Sequence, residues 1–224
     1  MRQGLAELTE ISSSGRAAGR IHCDLSLIPA PGQYLLAHFG QDSDAPLPVP
    51  IFSAAPCPGG FLLAPPLPSH WIPGTQLHVR GPLGKGFQIP AGARYVALAA
   101  FGKTAARLLA LVEPALAQNA ALVLLTDHPP QGLPAAVEIS PLSALPETLA
   151  WTDYLAFDTP RAALPALTQT IRAAAYSGAG QVLVETALPC GGMAECAVCA
   201  VTLRKSYKLA CKDGPVFELK TLLD

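Results

Sequence analysis

Charge is scarce in this chain and evenly split. Only 14% of its 224 residues are charged, 15 basic against 16 acidic, for a formal net charge of −1. That balance offers no electrostatic case for binding nucleic acid or an anionic membrane. Long apolar runs are missing too. None approaches the roughly 18–20 residues that span a bilayer, and the N-terminal MRQGLAELTEISSSGRAAGR lacks the apolar core of a secretion signal. These absences predict a cytoplasmic protein with no membrane span. The histidines (His22, His38, His70, His78, His128) are scattered without ligand spacing, and no Ser/His/Asp set or carboxylate pair suggests hydrolase chemistry. Cysteine is sparse over the first 189 residues. Cys23 and Cys57 stand alone there and read as small hydrophobes or as residues near the barrel ends.

What is present is apolar. Half the residues are hydrophobic, enough for a substantial core. Residues 1–90 hold short apolar stretches (AGRIHCDLSLI, GQYLLAHFG, VPIFSAA, GGFLLAPP, GTQLHVRG), each bounded by Pro or Gly. Their length and spacing predict a small antiparallel β-barrel or sandwich. The proline-dense DAPLPVP and APPLPSHWIPG are assigned to connections or sheet edges. Beyond Pro90 the texture changes. RYVALAAF, ALVLLTD, YLAFD and QVLVET read as buried strands, with KTAARLLALVEPALAQ and ALPALTQTIRAAAY as helices between them. That alternation predicts a Rossmann-like parallel α/β domain over 91–186.

The last segment, 187–224, carries PCGGMAECAVCAVTLRKSYKLAC, with Cys190, Cys196, Cys199 and Cys211 spaced C-x5-C-x2-C-x11-C. The spacing lies one residue from the C-x4-C-x2-C…C run of plant-type [2Fe–2S] centres. Gly191 and Gly192 allow the positive φ angles of a wrapping loop. Zinc is the alternative, but structural zinc sites usually use two short knuckles, and only Cys196–Cys199 makes one. Arg204, Lys205, Lys208 and Lys212 follow closely and read as a solvated face or as an offset to the negative charge of a cluster.

Several strings, taken together, resemble the electron-transfer subunit of heterotetrameric dihydroorotate dehydrogenase, within the ferredoxin-reductase-like flavoproteins. They are Pro31-Gly32-Gln33-Tyr34, Pro73-Gly74-Thr75, Gly81-Pro82-Leu83-Gly84-Lys85-Gly86-Phe87, the four cysteines, and Asp213-Gly214-Pro215-Val216-Phe217. The resemblance implies an FAD-type barrel over 1–90, an NAD-type α/β domain over 91–186 and a [2Fe–2S] segment over 187–224. It also implies a dihydroorotate dehydrogenase-type catalytic subunit as partner, in pyrimidine biosynthesis. By the same resemblance, FAD is held on an Arg-x-[Tyr/Phe/Ile]-Ser strand, here Pro50-Ile51-Phe52-Ser53, and by Gly74 and Thr75. Proline replaces the arginine, which weakens the site because Arg alone supplies a forked, charged grip on phosphate.

The family's Gly-rich nicotinamide turn corresponds to the run from Ala99 to Leu108, where Gly102 is the one glycine and Phe101 crowds the ligand. The run predicts weak or lost NAD(H) binding, although Lys103 offers a charge to phosphate. The same stretch imitates a P-loop through Gly102-Lys103-Thr104, with Asp127 posing as the Mg²⁺ residue, but Ala97 replaces the first glycine. The reading is an electron-transfer subunit with a [2Fe–2S] cluster and FAD. The alternative is a non-catalytic assembly or regulatory subunit that keeps the fold with a cluster or zinc and no flavin.

Overall fold

The protein was analysed as a computed structural model, which describes residues 2–12, 16–40, 47–203 and 206–223. Six antiparallel strands close a barrel: β1 (Arg2–Ile11), β2 (Gly19–Cys23), β3 (Tyr34–Phe39), β4 (Val49–Cys57), β5 (Gly60–Leu63) and β6 (Thr75–Leu83), in the order β1-β2-β5-β4-β3-β6. Inward residues alternate with outward ones, and Leu8, Ile21, Leu35, Phe61, Trp71 and Leu77 fill the interior. Cys23 and Cys57 end β2 and β4. Burial pushes the Cys23 thiol up to about 11, with smaller contributions from Asp24 and Cys57.

Beyond the barrel lies a six-stranded sheet. It comprises β7 (Tyr95–Ala100), β8 (Ala121–Leu125), β9 (Val137–Ser140), β10 (Tyr154–Pro160), β11 (Ala179–Glu185) and β14 (Val216–Glu218), in the order β14-β11-β10-β7-β8-β9. All pairings are parallel except β11 with β14. The four central strands read from the sequence are present, flanked by two short edge strands that were not. Period-2 alternation splits the core in two. Ala97, Ala99, Leu155 and Phe157 face one layer, and Val96, Leu98, Tyr154 and Ala156 face the other.

The first expected helix is broken into α1 (Ala106–Leu109) and α2 (Val112–Ala117). Pro114 explains the break, because its ring would clash with the carbonyl of Ala110 in a continuous helix. Then come α3 (Leu145–Leu149) and α4 (Leu164–Ala173). A hairpin of β12 (Ala200–Thr202) and β13 (Tyr207–Leu209) follows, with α5 (Ala210–Asp213) and the terminal α6 (Leu219–Leu223). The C-terminal segment is thus woven into the sheet through β14, where Val182 sits opposite Phe217. Among the described residues no helix is long and apolar enough to cross a membrane.

Candidate metal centre

Three strings picked out in the sequence meet at the junction of barrel and sheet. The Gln33 side chain donates to the Gly84 carbonyl (3.0 Å), Phe87 N–H to the Pro31 carbonyl (2.8 Å) and Lys85 N–H to the Gly214 carbonyl (2.6 Å). Glycine at 84 is required twice over. Its φ is +77°, and a Cβ there would lie 2.4 Å from Pro215 Cδ. This clasp presses the barrel against the segment that carries the cysteines.

That segment leaves β11 and curls back into β12. Gly191 (φ +60°) and Gly192 (φ +78°) turn the chain just after Cys190, and Met193 N–H closes the turn on the Cys190 carbonyl at 3.3 Å. Ala194 (φ +64°) and Ala197 (φ +56°) are also left-handed, a conformation costing a residue with a Cβ about 1–2 kcal/mol. Outside contacts hold the loop in this shape. Arg80 of β6 donates to the Gly191 carbonyl. From the opposite side, Arg161 Nη1 donates to the carbonyls of Val198 (2.7 Å) and Ala200 (3.0 Å). The curl turns the N–H groups of Glu195, Cys196 and Ala194 toward the Cys190 sulfur, and the Ala194 N–H also reaches Cys211.

The four thiols fall into two pairs. Cys199 and Cys211 are buried with their sulfurs 3.4 Å apart, while the half-buried Cys190 is hydrogen-bonded to the exposed Cys196. Burial works against the Cys190 thiolate, yet the Cys196 bond and the three N–H donors outweigh it and bring its pKa down to about 6. Cys211 goes the other way, to about 12, because of burial and the adjoining Cys199. Above this loop stands Tyr34, fully buried, whose hydroxyl has no hydrogen-bond partner although a Cβ on Gly192 would lie only 3.4 Å from it. A buried hydroxyl without a partner costs on the order of 1–3 kcal/mol, and burial pushes its pKa up so that it stays a donor.

Among the described residues no three His, Cys, Asp or Glu side chains converge as a single metal ion needs. Two thiol pairs, inward N–H groups and an unused donor fit a two-iron cluster, in which each iron takes two thiolates and the sulfides accept hydrogen bonds. Lys208 is half-buried and Lys212 exposed, whereas Arg204 and Lys205 lie outside the described residues.

The flavin residues are placed less favourably. On β4, Ile51 points into the barrel core and Ser53 is buried, while Pro50 and Phe52 face the α/β side. Gly74 and Thr75 open β6, five residues or about 17 Å of strand from Arg80, which pairs with the same β3 residue as Pro50. Their polar groups are already engaged. Gly74 N–H donates to the Leu8 carbonyl (2.7 Å), and the Thr75 hydroxyl accepts from Ile72 N–H (3.0 Å). The Phe52 ring, expected to line the flavin, carries the Arg107 guanidinium, with Cζ 5.6 Å from the ring centroid. Arg107 also donates twice to buried Asp158 (both 2.8 Å) and once to Glu185 (2.7 Å). Burial would discharge the guanidinium, but Asp158 and then Glu185 outweigh it and raise its pKa. In this arrangement the seat does not fit a flavin.

Phe101 packs on Phe157, ring centroids 6.2 Å apart, and the helix that follows is a single turn. Asp127 accepts from Leu142 N–H at 3.1 Å.

Residues 185–223 match the family described as the iron–sulfur cluster binding domain of dihydroorotate dehydrogenase B. No curated protein matches the chain. Among solved structures, an NADH-dependent reduced ferredoxin–NADP oxidoreductase is similar over 98% of this chain and 90% of that one, at 17% identity and a TM-score of 0.73. The ferredoxin reductase of carbazole 1,9a-dioxygenase is similar over 79% of this chain and 66% of that one, at 14% identity and 0.59. A cytochrome P450 reductase of Amycolatopsis follows at 14% identity and 0.56, over 78% and 67%. The chain therefore has the fold of these reductases, and its C-terminal residues 185–223 are similar to the iron–sulfur cluster binding domain of dihydroorotate dehydrogenase B.

Proposed function

We propose that this protein is the electron-transfer subunit of a dihydroorotate dehydrogenase-type oxidoreductase, serving pyrimidine biosynthesis in the cytoplasm. Its working part is one [2Fe–2S] cluster on Cys190, Cys196, Cys199 and Cys211. The observation that carries the reading is the arrangement of those thiols in two pairs beneath converging N–H groups. When bound, the cluster supplies one-electron chemistry. Cys199 and Cys211 anchor it in the apolar core, and Cys196 brings it to the surface. An apolar groove of about 800 Å³ beside it, lined by Leu5, Leu36, Leu47 and Met193, suits a docked catalytic subunit. The division into 1–90, 91–186 and 187–224 belongs to the same proposal. FAD is supported by the fold; the residues of this chain support the cluster, and the path is written through the cluster alone.

The test is anaerobic mixing with a dihydroorotate dehydrogenase catalytic subunit and dihydroorotate. Bleaching of the cluster absorbance without added nicotinamide is the expected result. A colourless protein with stoichiometric zinc would instead establish the second reading, an assembly or regulatory subunit, for which the filled seat beside Phe52 is the favouring observation.

A further inference from the structure

We infer that the chain itself occupies the place a flavin takes in this fold, so that the four-cysteine centre works without a resident flavin. The inference rests on the proposed cluster function and narrows it to one redox centre. Two features close the space between β4 and the α/β sheet. Helix α1 lies directly on the barrel, where Ala106 packs on Ala54 and Ala64, all three buried. No gap the thickness of an aromatic ring remains between such small side chains in contact. Next, Arg107 covers the face of Phe52, the ring expected to line the isoalloxazine. The guanidinium is fixed there by the two hydrogen bonds it donates to Asp158, a residue 1% exposed, and a third to Glu185. Cation–π contact and a bidentate ion pair make this a built site rather than a side chain at rest. What is left of the cleft is about 200 Å³, below the roughly 300–1,000 Å³ of small-molecule sites.

The chemistry agrees with the geometry. A dinucleotide brings two phosphates, and the strand that should grip them offers Pro50, which has neither charge nor N–H. The network already holds two carboxylates, buried Asp158 and exposed Glu185, against one guanidinium, so an entering anion would meet both as like charges. With the seat filled, electrons have no two-electron carrier inside this subunit. They enter singly at the cysteine loop from the partner, which alone handles the electron pair, and leave singly to a one-electron acceptor protein.

The experiment uses the full chain purified anaerobically, with iron, zinc and flavin quantified on the same sample, followed by titration with FAD in large excess. Iron without flavin, and no FAD uptake, is the expected result. Stoichiometric FAD, co-purified or taken up, would overturn the inference while leaving the cluster intact. Zinc without iron would overturn the cluster reading and leave the flavin result standing. A second arm reopens the seat with Pro50→Arg combined with Arg107→Ala. FAD affinity should rise on the order of tenfold to a hundredfold, the effect of gaining charged hydrogen bonds. Should that variant fail to fold, adding Asp158→Asn removes the buried carboxylate that the lost guanidinium would strand and leaves the seat open. A folded variant with no gain would overturn the assignment of Arg107 as the occupant.

Discussion

Replacing Tyr34 by Phe removes one oxygen atom from the wall above the cysteine loop. In the metal-free protein that oxygen is buried and without a hydrogen-bond partner, so its loss stabilises the fold by about 1 kcal/mol, the cost of an unsatisfied buried hydroxyl. With a cluster held on the four cysteines, the same hydroxyl would be a free donor beside the loop that carries it. A hydrogen bond favours the more negative, reduced cluster. Its net worth of about 0.5–1.5 kcal/mol converts to about 20–60 mV for one electron. Tyr34→Phe should therefore lower the midpoint potential by that amount while leaving the cluster assembled. Potentiometric titration followed by electron paramagnetic resonance gives the potential, and chemical denaturation of the apo-protein gives the stability. An unchanged potential, with equal stabilisation of apo and loaded forms, would refute a role for the hydroxyl at the cluster.

Asp158→Ala should cost about 3–5 kcal/mol in denaturant unfolding, because it strands the buried Arg107 charge; a loss below about 1 kcal/mol would show the pair to be solvent-screened. Gly84→Ala should lose about 1–3 kcal/mol through a forced left-handed alanine against Pro215, and an unaffected variant would mean that the clasp is loose. Cys23, pushed up to about 11 by burial, should resist alkylation at pH 8 in the folded protein and react once pH rises toward that value or the barrel is unfolded. Rapid labelling at pH 8 would contradict its placement.

Much of the fold was legible because punctuation marked it. Pro and Gly bound the β2–β6 stretches, and unbroken apolar runs marked β7, β8, β10 and β11. The first strand escaped notice because its inward residues, Ala6 and Leu8, alternate too weakly with Gly4 and exposed Leu5 to announce a strand. Edge strands β9 and β14 are three or four residues long, too short for any period to register. The four thiols were legible by type and spacing, although their pairing depends on left-handed Ala194 and Ala197, which nothing in those residues foretells. Arg107 was overlooked within an apolar helical run. Its signal was the acid at the end of YLAFD and another in QVLVET, two carboxylates at neighbouring strand ends that a buried cation would answer.

The most direct test of the account is spin quantitation of the anaerobically purified, dithionite-reduced protein, with Cys199→Ser as the comparison. The account predicts one unpaired spin per chain, accompanied by two irons and two acid-labile sulfides, and its loss in the variant. A spin-silent protein with one zinc per chain, or a signal that survives Cys199→Ser, would contradict it.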